Sequence, residues 1–170
     1  MITADQPVFP NIAIDAMEER FKLLDPAGDL QVIKRPLAPT DPNQCIGIFG
    51  AMWTPDNDSM EMRGLMGSPD PGPQEPTIGK YSIAIQAFIK DMDEVRGAAV
   101  HSVLSKMVLA MLYRDQPLRL ALAGLSATLF GSTERLKRWG ITTQRFLNNE
   151  LDSEWLYLST VECWLETETI

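Results

Sequence analysis

Three patterns in the chain predict an α+β fold: a mixed or antiparallel sheet with a long C-terminal β-hairpin, packed against an N-terminal amphipathic helix and a long central helix. Apolar residues recur at spacings of three and four over 14–24 and over 95–114, the period of helices buried along one face. They alternate with a period of two from Tyr81 to Ile89 and again from Trp155 to Leu165, the signature of strands. Between the first strands and the central helix lies a stretch, Thr54 to Gly79, that fits neither period. With 170 residues the chain is read as a single domain spanning 1–170, long enough to bury about 70% of its unfolded surface.

Residues 1–10 read as an extended arm, because Pro7 and Pro10 keep it out of a helix interior. Ile14, Met17, Phe21 and Leu24 then trace the apolar stripe of the first helix, with Glu18, Glu19 and Lys22 opposite, and Asp25-Pro26-Ala27-Gly28 stops it. Leu30 to Arg35 is a short strand candidate and Cys45 to Trp53 a stronger one. Asp91 or Asp93 caps the central helix, which runs to about Arg114, and Asp93 and Glu94 in its first turn suit the helix dipole. Leu118 to Ala127 reads as a shorter helix behind Pro117, although its leucines also alternate as in a strand. Thr133 to Leu151 and Trp155 to Glu166 are two long β-runs joined around Asn148–Ser153. Bulky apolar groups occupy both faces of the second run, so this hairpin needs cover on both sides, from its own helices and from a neighbouring subunit.

The segment 54–79 is too long to be a plain connection, since compact domains join elements with about 4–6 residues. Pro69, Pro71, Pro73 and Pro76 make its second half a stiff, exposed spacer. Its first half holds Met60, Met62, Leu65 and Met66 beside Arg63, adaptable apolar material suited to a partner.

The formal charge of -8 makes tight binding to DNA or to anionic membranes unfavourable, though an acidic surface suits a passage through which DNA moves without sticking. Cys45 and Cys163 fall in apolar β-runs with no CxxC spacing, so both are expected as buried free thiols. There is no charged-then-apolar leader and no apolar run near 18 residues, which implies a chain made and kept in a reducing cytosol, with no membrane partner.

Signatures of chemistry are missing. The single histidine, His101, sits within the central helix without a nucleophile and carboxylate arranged around it in sequence, so a structural role is expected; an enzyme would have to assemble its site there with Asp91, Asp93 or Glu94. One His and two distant Cys do not make a zinc shell. Asp56, Asp58 and Glu61 suggest calcium, but counting from Asp56 puts Glu61 where an EF-hand loop needs Gly and Gly67 where it needs Glu. GIFG at 47–50 is not a phosphate-cradling glycine pattern. Arg135, Lys137 and Arg138 beside Trp139 could contact phosphates, or simply form a solvated strand face. No catalytic residue, cofactor or metal is assigned.

The order of elements over nearly the whole chain, the long loop between the second and third strands, and the C-terminal stretch from Asn148 to Glu168 resemble the tail terminator family of long-tailed bacteriophages (siphovirus and myovirus types). The resemblance implies a structural, non-enzymatic virion protein, made in the bacterial host cytoplasm and carried in the phage tail and neck. It implies a ring, usually of six subunits, that caps the tail tube, ends its polymerisation and offers a docking face for head-completion or connector proteins. Such rings close through heterologous contacts, which need two different patches per subunit. Met60, Met62, Arg63, Leu65 and Met66 would then meet the tail tube protein or a neighbouring subunit, as would Trp155, Tyr157 and Trp164 on the hairpin. The alternatives are another neck or tail component, such as a head-completion or tail tube protein, and a small enzyme using His101.

Overall fold

The computed structural model describes residues 6–25, 28–50, 54–55, 77–129 and 131–170. The elements follow the order α1 (Asn11–Phe21), a 3-10 turn (Lys22–Leu24), β1 (Gln31–Ile33), β2 (Gln44–Gly50), β3 (Thr54–Pro55), β4 (Thr77–Asp91), α2 (Glu94–Arg114), α3 (Gln116–Ala123), β5 (Ser126–Leu129), β6 (Ser132–Leu151) and β7 (Glu154–Thr169). One mixed sheet has the order β1-β2-β4-β7-β6-β5, with β3 paired to β4 off that path. Among the described residues only β1 and β2 run parallel; every other pair is antiparallel. The fold is therefore α+β, with the expected hairpin at its C-terminal end.

The two later helices, α2 and α3, start at aspartate caps. Asp93 accepts from the Arg96 backbone N–H and caps α2. Asp115 caps α3 through the Leu118 N–H, with Pro117 in the first turn. The same carboxylate receives two bonds from Arg20, at 2.8 and 2.9 Å, and so ties α1 to α3. The segment expected as one helix over 118–127 divides: α3 ends at Ala123 and the remainder enters β5, because Leu122 and Leu118 pack into the core while Ala127 turns back toward the sheet. The hairpin reverses in only two residues, Asp152 and Ser153, both at positive φ (51° and 68°), the geometry whose twist matches paired strands. β6 thus runs on to Leu151, past the expected start of the turn at Asn148.

The segment 54–79 is shorter than its lack of periodicity suggests. Thr54 and Pro55 pair with Lys80 and Gly79, and β4 already begins at Thr77, pairing along its whole length with β7. Pairing that joins distant positions leaves no local period in the sequence to find.

The helices lie on one face of the sheet. Ile46, Ile48, Ile83, Ile85, Ile89, Tyr157, Cys163 and Leu165 fill that face, all at most 2% exposed, and meet Ala13, Met17 and Phe21 of α1, Leu104, Val108 and Leu112 of α2, and Leu118 and Leu122 of α3. Gly97 lets α2 approach closely: a Cβ there would stand 2.7 Å from the Tyr157 ring. The Tyr157 hydroxyl donates to the Glu94 carbonyl at 2.7 Å, closing this contact. α2 is also the one described helix long and apolar enough, by length and composition, to cross a bilayer, and its buried stripe from Gly97 to Leu112 lies on this sheet.

Candidate functional site

Two neighbouring features stand out on the described surface. The first is an open groove of about 460 Å³ between α2 and the hairpin. Ile85, Ala87, Val108 and Val161 line it with apolar surface, and Lys106 and Arg145 add charge. On the same lining, Ser105 Oγ lies 3.3 Å from His101 Nε2 and 2.8 Å from Ser159 Oγ. The His101 ring stacks on Tyr157 and tilts against Phe146, with centroids 5.9 and 5.3 Å away. Burial pushes the His101 pKa below its ordinary value, opposed by a hydrogen bond to the Ala87 backbone, so the imidazole is neutral at physiological pH.

This trio was only half legible in the sequence. Ser105 stands one helical turn beyond His101, on the same face, a spacing readable in advance. Ser159 arrives from β7 through tertiary packing alone. Two of the three carboxylates named for an enzyme are engaged elsewhere. Asp91 accepts two bonds from Arg96, whose guanidinium holds the carboxyl down at about 2, and Asp93 is occupied by capping. Among the described residues the polar partners of His101 are Ser105 and the Ala87 backbone, with no carboxylate to orient the ring.

The second feature is the outer edge of β6. β5 pairs only with Ser132–Arg135, and Leu136 closes that contact through the Leu125 carbonyl at 3.2 Å. From Lys137 to Leu151, β6 has β7 as its only strand neighbour among the described residues. Leu151 and Glu154 bracket the two-residue turn as a hydrogen-bonded pair, so alternation aims the main-chain groups of Gln144, Phe146, Asn148 and Glu150 outward. Phe146 and Leu147 sit on this stretch at 62% and 60% exposed.

The hairpin residues singled out in the sequence separate on inspection. Tyr157, at 1% exposed with its hydroxyl bonded to α2, is a core residue and leaves no surface for a partner. Large apolar groups on both sides of the alternation obscured which face the helix covers, although Glu162 and Glu166 stand on the face opposite Tyr157. Trp155 is partly buried against the core. Trp164 lies on the opposite face over Gly140, where a Cβ would meet its ring at 2.8 Å, and Lys80 and Arg138 flank it at 5.8 and 5.6 Å. Arg138 also forms two 2.8 Å bonds to Glu166, which holds that buried carboxyl below its usual range. Arg135 pairs with Glu168 at 2.6 Å. Two of the three cations considered for phosphate contact are therefore taken up by β7 carboxylates. Met60, Met62, Arg63, Leu65 and Met66 lie outside the described residues, as does the acidic cluster Asp56, Asp58 and Glu61.

Cys45 and Cys163 are buried free thiols, and burial pushes both up to about 12, which makes them inert. Among the described residues no group of three or more His, Cys, Asp or Glu side chains could hold a metal ion. No protein-family model and no curated protein matches the chain.

Proposed function

We propose that this chain is a structural subunit of the tail terminator type, forming a ring, six-fold in the family it resembles, that caps the tail tube of a long-tailed bacteriophage. One observation carries the reading. A 20-residue strand, β6, leaves its outer edge without a strand partner beyond Leu136 among the described residues and bears exposed Phe146 and Leu147, a surface that costs solubility in a protomer alone and suits assembly. The mechanism is geometric. The ring offers the last tube ring a docking face, and its far face lacks the surface on which another tube subunit would add. Head-completion or connector proteins dock there instead, and the negative chain charge lets DNA pass the lumen without specific binding.

Residues Met60 to Met66 supply the tube contact in this reading. Deleting 58–72 should leave a folded protein that no longer ends tails, seen as over-long tubes by electron microscopy; tails of normal length would remove the segment from this role.

A second reading, a small enzyme, rests on the approach of Ser105 to His101 at 3.3 Å beside the groove. Replacing His101 with Gln distinguishes the two. The assembly reading expects unchanged tail completion, whereas an enzyme would lose its base.

A further inference from the structure

The two open edges of the sheet stand at one level. Following the pairing across the strands, Gln31 of β1 is in line with Cys45, Phe88, Leu158 and Leu147; Val32 with Ile46, Ala87, Ser159 and Phe146; and Ile33 with Gly47, Gln86, Thr160 and Arg145. β1 pairs only with β2 among the described residues, so its outer edge is open. The loop after it turns over the sheet face, where Leu37 N–H donates to the Gln86 side chain at 2.9 Å, and does not fold back along that edge. At the other edge, the level of β1 falls on Arg145–Leu147, beyond the reach of β5.

We propose that β1 of one copy adds to β6 of the next at Arg145–Leu147, continuing the sheet from subunit to subunit; the inference rests on the ring reading and names its contact. β1 and β6 run in opposite directions within the protomer, so a head-to-tail repeat makes the new pair antiparallel. Because the two edges share a level, each subunit follows the last by rotation with little rise along the strands, the condition for closing a ring and not growing a filament. The Phe146 main-chain groups face the incoming strand, and its exposed ring falls on the same face of the sheet as Val32.

The occupant is a second copy on register: the level of β1 falls on a stretch of β6 that β5 leaves without a strand partner among the described residues, and Val32 and Phe146 share a face of the sheet there. A nucleic acid would meet the repulsion of the whole chain instead.

Cysteines at the two edges test the pairing. In one protomer Val32 and Phe146 are four strand spacings apart, about 19 Å at about 4.8 Å each, too far for a disulfide whose Cα atoms must approach to about 4.4–6.8 Å. Full-length protein carrying both Val32→Cys and Phe146→Cys should give, on mild oxidation, a ladder of covalent oligomers ending at one largest species, while neither single variant cross-links. The native thiols stay silent because both are buried. Dimers from Phe146→Cys alone would mean that β6 edges pair with one another and would overturn the proposal. So would a double variant that never cross-links, even if the wild type sediments as a closed oligomer, in which case the ring reading survives without this contact. A ladder with no upper limit keeps the edge pairing and removes the ring. Phe146→Pro, which deletes an outward N–H without touching the β6–β7 ladder, should abolish association while leaving the circular dichroism spectrum unchanged. Association at the wild-type level in that variant counts against the contact.

Discussion

The two strands of the C-terminal hairpin are close in length and opposite in circumstance. β7 has β4 on one side and β6 on the other along its whole run, and its Tyr157, Val161, Cys163 and Leu165 are buried under the helical layer. β6 shares that pairing but loses β5 after Arg135, and from Gln144 to Leu151 its residues are exposed. Hydrophobic stabilisation is therefore concentrated in β7, whereas the outer half of β6 holds unspent hydrogen-bonding groups and apolar side chains. In the proposed assembly, fold and association fall on adjacent strands, so substitutions should separate them.

The largest effect should come from β7. Leu165→Ala removes a side chain with no exposure and should cost about 2–5 kcal/mol in denaturant unfolding, with a cavity left at the sheet centre. A cost near zero would mean that β7 is not the core strand. Gly97→Ala should follow, at about 1–3 kcal/mol despite the better helix propensity of Ala, because the added methyl collides with the Tyr157 ring. A stabilised Gly97→Ala would show that α2 does not approach β7 this closely.

A smaller effect is set by pH. The folded pKa of His101 is depressed by burial, so below the ordinary histidine value of about 6.5 the unfolded chain takes up a proton that the folded chain resists. Stability should be complete above about pH 6.5, decline as pH falls below it, and level once the folded imidazole is also protonated. His101→Gln should flatten the slope in that window; an unchanged slope would assign it to other groups. A separate loss is expected between about pH 4 and 2, where Asp41 and Asp91, each held at about 2 by its arginine partner, become protonated. Least affected should be stability on changing the outer half of β6. Leu147→Ser should move it by no more than about 0.5 kcal/mol, as for other exposed sites, and a loss of several kcal/mol would place Leu147 in the core and not at an interface.

Local chemistry was readable in the chain before its fold. A cap at Asp91 or Asp93, which the structure assigns to Asp93, the stop after Leu24 and the buried thiols all depend on near neighbours or on composition. Pairing was not readable. Leu156, Leu158 and Trp164 make the alternation in 155–165 bulky on both sides, yet Glu162 on the Trp164 side was a signal that this side faces away from the helices; the close cover over Tyr157 comes from α2 and Gly97. The strands at Thr54–Pro55 and Thr77–Lys80 exist because each has a partner across the sheet, not because their own residues favour extension. The open edge of β6 was hidden for the same reason, since whether a strand has a neighbour is a property of topology. His101 was legible as a residue and its serines only in part, Ser105 by helical spacing and Ser159 through the fold.

The most direct test of the assembly reading is electron microscopy of the purified protein, alone and mixed with tail tubes. The account predicts closed rings of uniform subunit number seated at one end of each tube, with tube growth stopped there. Protein that never forms rings in either setting, or that coats tubes along their length without ending them, would contradict it.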